Sequence, residues 1–135
     1  MPAQGSQVPH VLIVEDDLDI RDALAQILEE EGYSVATAAN GREALDHLRN
    51  APPPRLILLD LMMPVMNGWQ FRAEQRRDPS LAGIPVVIIS ADTHVGDKAQ
   101  AIGIAEFFRK PIEISGLLQT MEKYCGDGAS TAREG

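Results

Sequence analysis

The sequence predicts an α/β domain in which a parallel sheet is covered by helices on both faces. Apolar runs of strand length alternate along the chain with segments whose apolar residues recur at helical spacing. The three strongest runs are apolar throughout, which is typical of strands buried on both faces. They are Val11–Val14, Leu56–Leu59 and Val86–Ile89. Because segments of helix length join successive strands, neighbouring strands are expected to be parallel.

Two weaker strand segments and two helices with capping signals are predicted next. Ser34–Ala38 is a weaker strand segment, second in order, and Glu106–Arg109 is the fifth. The first helix is indicated by apolar residues three and four apart, and Gly32 stands where a C-terminal cap belongs. Asn40 is predicted to cap the second helix, which ends before the prolines that begin at Pro52.

The second half contains one strong helix and two weak ones. Apolar residues from Ile114 to Met121 repeat at helical spacing and predict a final amphipathic helix. A third helix near Asn67–Arg77 and a fourth near His94–Ile102 have less regular patterns, and Gly96 weakens the fourth.

Length and composition limit the classes of protein that remain. The 135 residues predict one domain, residues 10–125, with loose tails at 1–9 and 126–135. The net charge of −8 argues against nucleic-acid and membrane partners, because both carry negative charge. Without a signal peptide or a membrane-spanning run, a cytoplasmic protein is expected. Cys125 is expected to be a buried apolar filler, and His10 an ordinary surface residue.

Chemically apt side chains follow four of the five predicted strands. Asp16 and Asp17 come after the first strand, and Asp60 after the third. Ser90 ends the fourth strand and Lys110 follows the fifth. In parallel α/β sheets ligands bind at the carboxyl ends of strands, so these side chains are expected to converge.

Such a cluster calls for a positive counter-charge. Two carboxylates ~5 Å apart repel by roughly 3 kcal/mol at an effective dielectric constant of 20. Lys110 supplies one positive charge and a divalent cation would supply two. Carboxylate oxygens suit Mg²⁺, and no His or Cys stands at zinc-ligand spacing. A carboxylate beside Mg²⁺, with a lysine and a hydroxyl, is suited to accept a phosphoryl group.

The motifs that carry these residues resemble the receiver domain of two-component response regulators. The resemblance rests on VLIVEDD, LILLDLMMPVMNG, VVIISA and FFRKP, in this order and spacing, and extends from about Val11 to Tyr124. It implies a flavodoxin-like (βα)5 fold with a doubly wound, five-stranded sheet in the order 2-1-3-4-5. It also implies a cis peptide bond between Lys110 and Pro111.

The resemblance assigns roles at the predicted site. It implies that Asp60 is the phospho-acceptor and that Lys110 pairs with the phosphoryl group. Asp16 and Asp17 correspond to the Mg²⁺-binding pair, aided by Asp60 and the backbone carbonyl of Met62. The implied phosphodonor is a histidine kinase or phosphotransfer protein.

The resemblance also implies a conformational switch. Ser90 would move to contact the phosphoryl group, and Phe107 would turn into the space that Ser90 leaves. This would change the surface of residues 94–124, through which a downstream effector protein is expected to bind. Three residues depart from the family pattern. Ile104 replaces a frequent alanine, and Arg72 and Gln75 replace apolar residues, so a thin apolar face is expected on the third helix.

Three classes of function remain open at this point. The favoured one is a stand-alone receiver that signals by protein association and catalyses only its own phosphorylation and dephosphorylation. The second is a binding module that signals without phosphate, which the filled acidic, hydroxyl and lysine positions argue against. The third is a Mg²⁺-dependent phosphohydrolase. Related hydrolases carry a second aspartate two residues after the nucleophile, where this chain has Met62.

Overall fold

A computed structural model of the chain describes residues 10–91, 103–104 and 106–125. The strands are β1 (Val11–Val14), β2 (Val35–Ala38), β3 (Leu56–Asp60), β4 (Val86–Ser90) and β5 (Glu106–Arg109). The helices among the described residues are α1 (Leu18–Glu30), α2 (Gly41–Asn50), α3 (Gly68–Arg77) and α4 (Ile114–Cys125). The helix predicted near His94–Ile102 lies outside the described residues.

The five strands form one parallel sheet in the order β2-β1-β3-β4-β5. The predicted fold class and strand order are therefore confirmed. Two strands run one residue further than predicted, since β3 includes Asp60 and β4 includes Ser90. β5 lies at an edge of the sheet and is only partly buried, whereas β1, β3 and β4 are buried along their whole length.

Capping residues define the helix ends where the sequence indicated them. The Asn40 side chain accepts a hydrogen bond from Glu43 N at 2.9 Å and caps α2. At the weakly predicted α3, Asn67 and Gln70 form a reciprocal capping box, which stabilises the first turn. Gly32 has a φ of 97° after the end of α1, a conformation that other residues adopt with strain.

Successive residues along each buried strand pack into different layers of the core. One layer joins the sheet to α1 and α4 through residues that include Leu28 and Met121. The other joins it to α2 and α3 through residues that include Leu45 and Phe71. The sheet is thus covered on both faces, which leaves its carboxyl edge as the place where strand-end side chains meet.

The face of α3 that was expected to be thin is closed by hydrogen bonds. Arg72 and Gln75 are both buried, and Arg72 Nη1 donates to Gln75 Oε1 at 2.7 Å. Their polar groups meet backbone carbonyls of neighbouring loops, so the departures from the apolar pattern do not leave a gap.

Two expectations concern His10 and Cys125, which lie where the strands begin, at the amino edge of the sheet. His10 is not an ordinary surface residue, since its ring is half-buried edge-on to Tyr33 and its Nδ1 accepts from Ser34 N at 2.9 Å. Cys125 is fully buried, as predicted, and burial raises the pKa of its thiol to about 11.

Among the described residues, no helix has the length and apolar character that crossing a bilayer requires.

Candidate metal centre at the carboxyl edge of the sheet

Strand register brings two acidic side chains side by side. In the β1–β3 pairing Val14 lies opposite Leu59, so the residues that follow, Glu15 and Asp60, are level with each other. Both are buried, Glu15 with 2% and Asp60 with 4% of its surface exposed. Asp16, the next residue along the chain, is exposed. Carboxylate oxygens of all three lie within 4.8 Å of one another.

Lys110 provides the positive charge inside this cluster. It follows β5, and its backbone N–H donates to Ser90 O at 3.0 Å. Its Nζ lies 2.9 Å from Glu15 Oε1 and 3.5 Å from Asp60 Oδ2. Burial opposes the charge of Lys110, but its pKa is raised because these carboxylates favour the ammonium form. The peptide bond to Pro111 is cis, as the resemblance implied.

One ammonium does not balance three carboxylates. Burial and, after it, the neighbouring Glu15 raise the pKa of Asp60 to about 7, against the opposing effects of Lys110 and the Met62 N–H. An aspartate in this environment takes up a proton near neutral pH unless another cation joins the cluster. The donor set is oxygen only, and one member is exposed, so the cluster fits a hard divalent cation that keeps water ligands.

The loop after β3 holds the Asp60 carboxylate in place. Met62 N donates to Asp60 Oδ1 at 3.2 Å, while the Met62 side chain is exposed. Gly68 N donates to Leu61 O at 2.9 Å. A Cβ on Gly68 would stand 2.8 Å from Asp60 O and from Leu61 Cα, so only glycine allows this approach. Within the same loop Val65 has a φ of 67°, a strained conformation for a β-branched residue.

Asp17, predicted as a metal ligand, performs a different task in the structure. Its side chain accepts a hydrogen bond from Ile20 N at 3.1 Å and is the N-cap of α1. The carboxylate that lies beside Asp60 together with Asp16 is that of Glu15, and not that of Asp17 as predicted. The signal that would have found Glu15 is register, because the residues that follow the paired Val14 and Leu59 reach the same depth.

The remaining predicted residues lie on the neighbouring strands. Ser90 is fully buried at the end of β4, one position beyond the residue paired with Asp60. Phe107 lies on β5 opposite Ile88 and is half-buried against the core layer of α2 and α3, where Ile104 also packs. The structure thus brings Asp16, Asp60 and Lys110 together with Glu15, and places Ser90 at the same edge.

Comparison of the sequence with known proteins identifies one family and several relatives. A family model described as the response regulator receiver domain matches residues 11–122. The transcriptional regulatory protein SphR of Synechococcus elongatus is 35% identical, over 82% of this chain and 46% of its own. The response regulator SaeR of Staphylococcus aureus is 35% identical, over 85% and 53%. The chain thus spans about half the length of these two relatives. An uncharacterised 14.6 kDa protein of Leptolyngbya boryana is 32% identical, over 85% and 88%.

Solved structures share the same architecture. Chemotaxis protein CheY4 of Vibrio cholerae superposes with a TM-score of 0.78 at 32% identity, covering 87% of this chain and 99% of that one. A response regulator receiver protein of Pseudomonas putida gives a TM-score of 0.80 at 27% identity, covering 87% and 98%.

Proposed function

The chain belongs to the response regulator receiver domain family, and we propose that Asp60 is its phospho-acceptor, modified in a Mg²⁺-dependent reaction. Receiver domains are phosphorylated by histidine kinases and act on effectors. The observation that carries the proposal is the position of Asp60. Its carboxylate is buried at a strand end, beside the buried Glu15, the exposed Asp16 and the Lys110 ammonium.

The proposed phosphodonor is a phosphohistidine of a histidine kinase or phosphotransfer protein. An Asp60 oxygen attacks the phosphorus atom, and the P–O bond of an acyl phosphate forms as the P–N bond breaks. The electron pair of the broken bond returns to the imidazole, which takes a proton from solvent. Because the transferred group carries negative charge into an acidic pocket, the reaction depends on positive charge placed there beforehand.

The residues that would hold Mg²⁺ are Glu15, Asp16 and Asp60. The oxygen-only donor set and the deficit of positive charge around Lys110 support this assignment. By resemblance, the backbone carbonyl of Met62 would complete the protein ligands. When bound, Mg²⁺ supplies positive charge to the phosphoryl oxygens.

Lys110 and Ser90 are proposed to act on the phosphorylated state. Lys110 already pairs with Asp60, and its ammonium is placed to neutralise a phosphoryl oxygen. The Ser90 hydroxyl would donate a hydrogen bond to the same group, which adds ~1.5–2 negative charges. Phe107, half-buried on the adjacent strand, would then pack further inward.

The proposed output is phosphorylation-dependent association with an effector protein through residues 94–124. The described part of this surface consists of Gly103, Ile104, β5 and the stretch from Lys110 into α4. We propose that the chain acts on no other substrate and catalyses only its own phosphorylation and dephosphorylation. A cytoplasmic location stays a prediction.

The donor protein is proposed to dock beside Lys110. A groove of about 440 Å³ lies between α1 and the residues that follow β5, with Lys110 in its lining. Its walls are largely apolar and include Ile20, Ile27 and Ile112. A donor helix seated in this groove would be adjacent to the lysine that contacts Asp60.

Intact-mass spectrometry tests the proposal directly. Incubation with acetyl phosphate should add one phosphoryl group in the presence of Mg²⁺ and none in excess chelator. Asp60→Asn should abolish the addition, because the amide is not a nucleophile in this reaction. Asp46→Asn removes an exposed carboxylate of α2 and is the matched control, with an unchanged yield expected. Full phosphorylation of the Asp60→Asn protein would refute the assignment.

A further inference from the structure

Two polar residues on α3 connect that helix to chain segments far away in sequence. Arg72 has 7% of its surface exposed and Gln75 has none. Arg72 Nη2 donates to Gly103 O at 3.0 Å, while Arg72 Nη1 donates to Gln75 Oε1 at 2.7 Å. Gln75 Nε2 in turn donates to Leu81 O at 2.9 Å and to Ile84 O at 3.1 Å.

Arg72 and Gly103 are close enough that Gly103 has little room for a side chain. Gly103 has a φ of 70°, and a Cβ built on it would stand 3.3 Å from Arg72 Nη2. The guanidinium is therefore seated against a backbone turn that favours glycine. A buried guanidinium is tolerated only when its N–H groups are hydrogen-bonded, so replacing its partners would be costly.

Gly103 stands three residues before β5, the strand whose position matters most for Lys110. β5 has four residues and pairs with β4 along its length, but it lies at the sheet edge and is only partly buried. It therefore has fewer buried contacts to hold it than the central strands have. At its far end, Lys110 N donates to Ser90 O and the Lys110 side chain reaches Glu15 and Asp60. The strand is thus tied at both ends, by Arg72 before it and by Lys110 after it.

We propose that Arg72 is a positioning residue for the phosphoryl-transfer site: by holding the Gly103 carbonyl it fixes the start of β5 and so places Lys110 beside Asp60. Gln75 secures the Arg72 side chain from the other direction, through carbonyls of the loop before β4. The inference rests on the proposed function for its catalytic consequence, but the tie between Arg72 and β5 is measurable without phosphorylation.

Arg72→Met tests the tie, because methionine keeps the aliphatic bulk and removes every donor. Arg77→Met is the matched control, since Arg77 lies on the same helix, is exposed and pairs only with Glu74 among the described ion pairs. Hydrogen exchange of the amides of residues 106–110 is measured in both variants. We expect exchange to accelerate there in Arg72→Met by about tenfold, with β1 and β3 unaffected, and to stay at the wild-type rate in Arg77→Met.

The catalytic consequence is measured as a double-mutant cycle with Lys110→Ala. In the presence of Mg²⁺ and acetyl phosphate, Arg72→Met should slow phosphorylation about fivefold or more when Lys110 is present. In the Lys110→Ala background the same change should alter the rate by less than about twofold, because the residue through which Arg72 acts is gone. A general loss of folding would slow both backgrounds alike.

If Arg72→Met does not fold, Arg72→Lys serves in its place, since it keeps the charge and loses the two-pronged geometry. Equal slowing in both backgrounds, or unchanged exchange at residues 106–110, would overturn the inference. The same effect in Arg77→Met would show that charge, and not the Gly103 contact, is responsible. Absence of phosphorylation in the wild-type chain would instead count against the proposed function, while the exchange experiment would still decide the role of Arg72.

Discussion

Polar groups are arranged differently at the two ends of the strands, the amino edge of the sheet where the strands begin and the carboxyl edge where they finish. At the amino edge they are paired, since His10 Nδ1 accepts from Ser34 N and Arg55 Nη1 donates to Cys125 O at 3.0 Å. His10 O also accepts from Arg55 N at 3.0 Å and from Cys125 Sγ at 3.4 Å. These contacts join the starts of three strands to the end of α4.

At the carboxyl edge the groups are brought together without being balanced. Glu15 and Asp60 are buried side by side against one ammonium, and the pKa of Asp60 rises to about 7. The nearby loop contains Val65 at positive φ and the crowded Gly68. The contrast indicates that the amino edge contributes stability, whereas the carboxyl edge holds unbalanced charge and a strained loop at a cost in stability.

The largest effect is expected from crowding the carboxyl edge further. Gly68→Ala places a Cβ 2.8 Å from backbone atoms of Asp60 and Leu61, which cannot move aside without shifting β3. We expect the free energy of unfolding in urea to fall by about 3 kcal/mol. Gly83→Ala is the control, because nothing lies within 4 Å of its Cβ position, and its unfolding should be unchanged or slightly harder. Similar losses in both variants would show that Gly68 is not specially confined.

The second-largest effect on the free energy of unfolding is expected from removing the negative charge of Asp60. Its pKa is about 7 in the folded protein and about 3.8 when unfolded, so the folded state binds the proton more tightly. Stability therefore falls as the pH rises through this window, and the full cost is present above pH 7. In chelator at pH 8, Asp60→Asn should raise the free energy of unfolding by about 2 kcal/mol.

This gain should disappear below the unfolded pKa, because Asp60 is then protonated in both states. Urea unfolding at pH 8 and near pH 3.5 measures the difference, with Asp46→Asn as a control that changes little at either pH. A gain for Asp60→Asn that is equal at both pH values would mean that packing, and not charge, is the cause.

A third prediction separates the two assignments of the metal ligands. Glu15→Gln and Asp16→Asn should each weaken Mg²⁺ binding about tenfold or more, since each removes a charged oxygen ligand. Asp17→Asn should change the affinity little, because asparagine preserves the N-cap of α1. Titration of Trp69 fluorescence, with calorimetry as a second method, measures these affinities. Strong weakening by Asp17→Asn alone would support the ligand pair predicted from the sequence.

Local patterns were sufficient for the parallel α/β class, because strands and helices each leave such a pattern, whereas the strand order came from the family resemblance. Continuous apolar runs identified β1, β3 and β4, and the strand ends led to Asp60 and Lys110. The sequence predicted Asp16 and Asp17 as the acidic pair, whereas Glu15 and Asp16 are the acidic residues that lie beside Asp60 in the structure. Three consecutive acidic residues look alike until register and helix capping distinguish them. Only the pairing of Val14 with Leu59 places Glu15 at the depth of Asp60.

The contacts of Arg72 and Gln75 could not be predicted in the same way. Their partners are backbone carbonyls of Leu81, Ile84 and Gly103, which leave no trace in residue type. His10 is similar, since it binds a backbone N–H of Ser34, 24 residues away. Local pattern therefore predicts elements and strand-end chemistry, whereas side chain to backbone contacts between distant segments require the structure.

The smallest effect is expected at the amino edge, from His10. Burial and the positive charge of Arg55 lower the pKa of His10, and its Nδ1 must stay unprotonated to accept from Ser34 N. The unfolded chain thus binds the proton more tightly, and stability is lost as the pH falls below about 6.5. The loss should stay under about 1 kcal/mol because the ring is partly solvated.

His10→Asn keeps an acceptor for Ser34 N that does not titrate, so its stability between pH 6.5 and 5 should decline less than that of the wild type. Urea unfolding across this range, with His47→Asn as the control, measures the difference, and parallel declines in wild type and His10→Asn would place the pH sensitivity elsewhere.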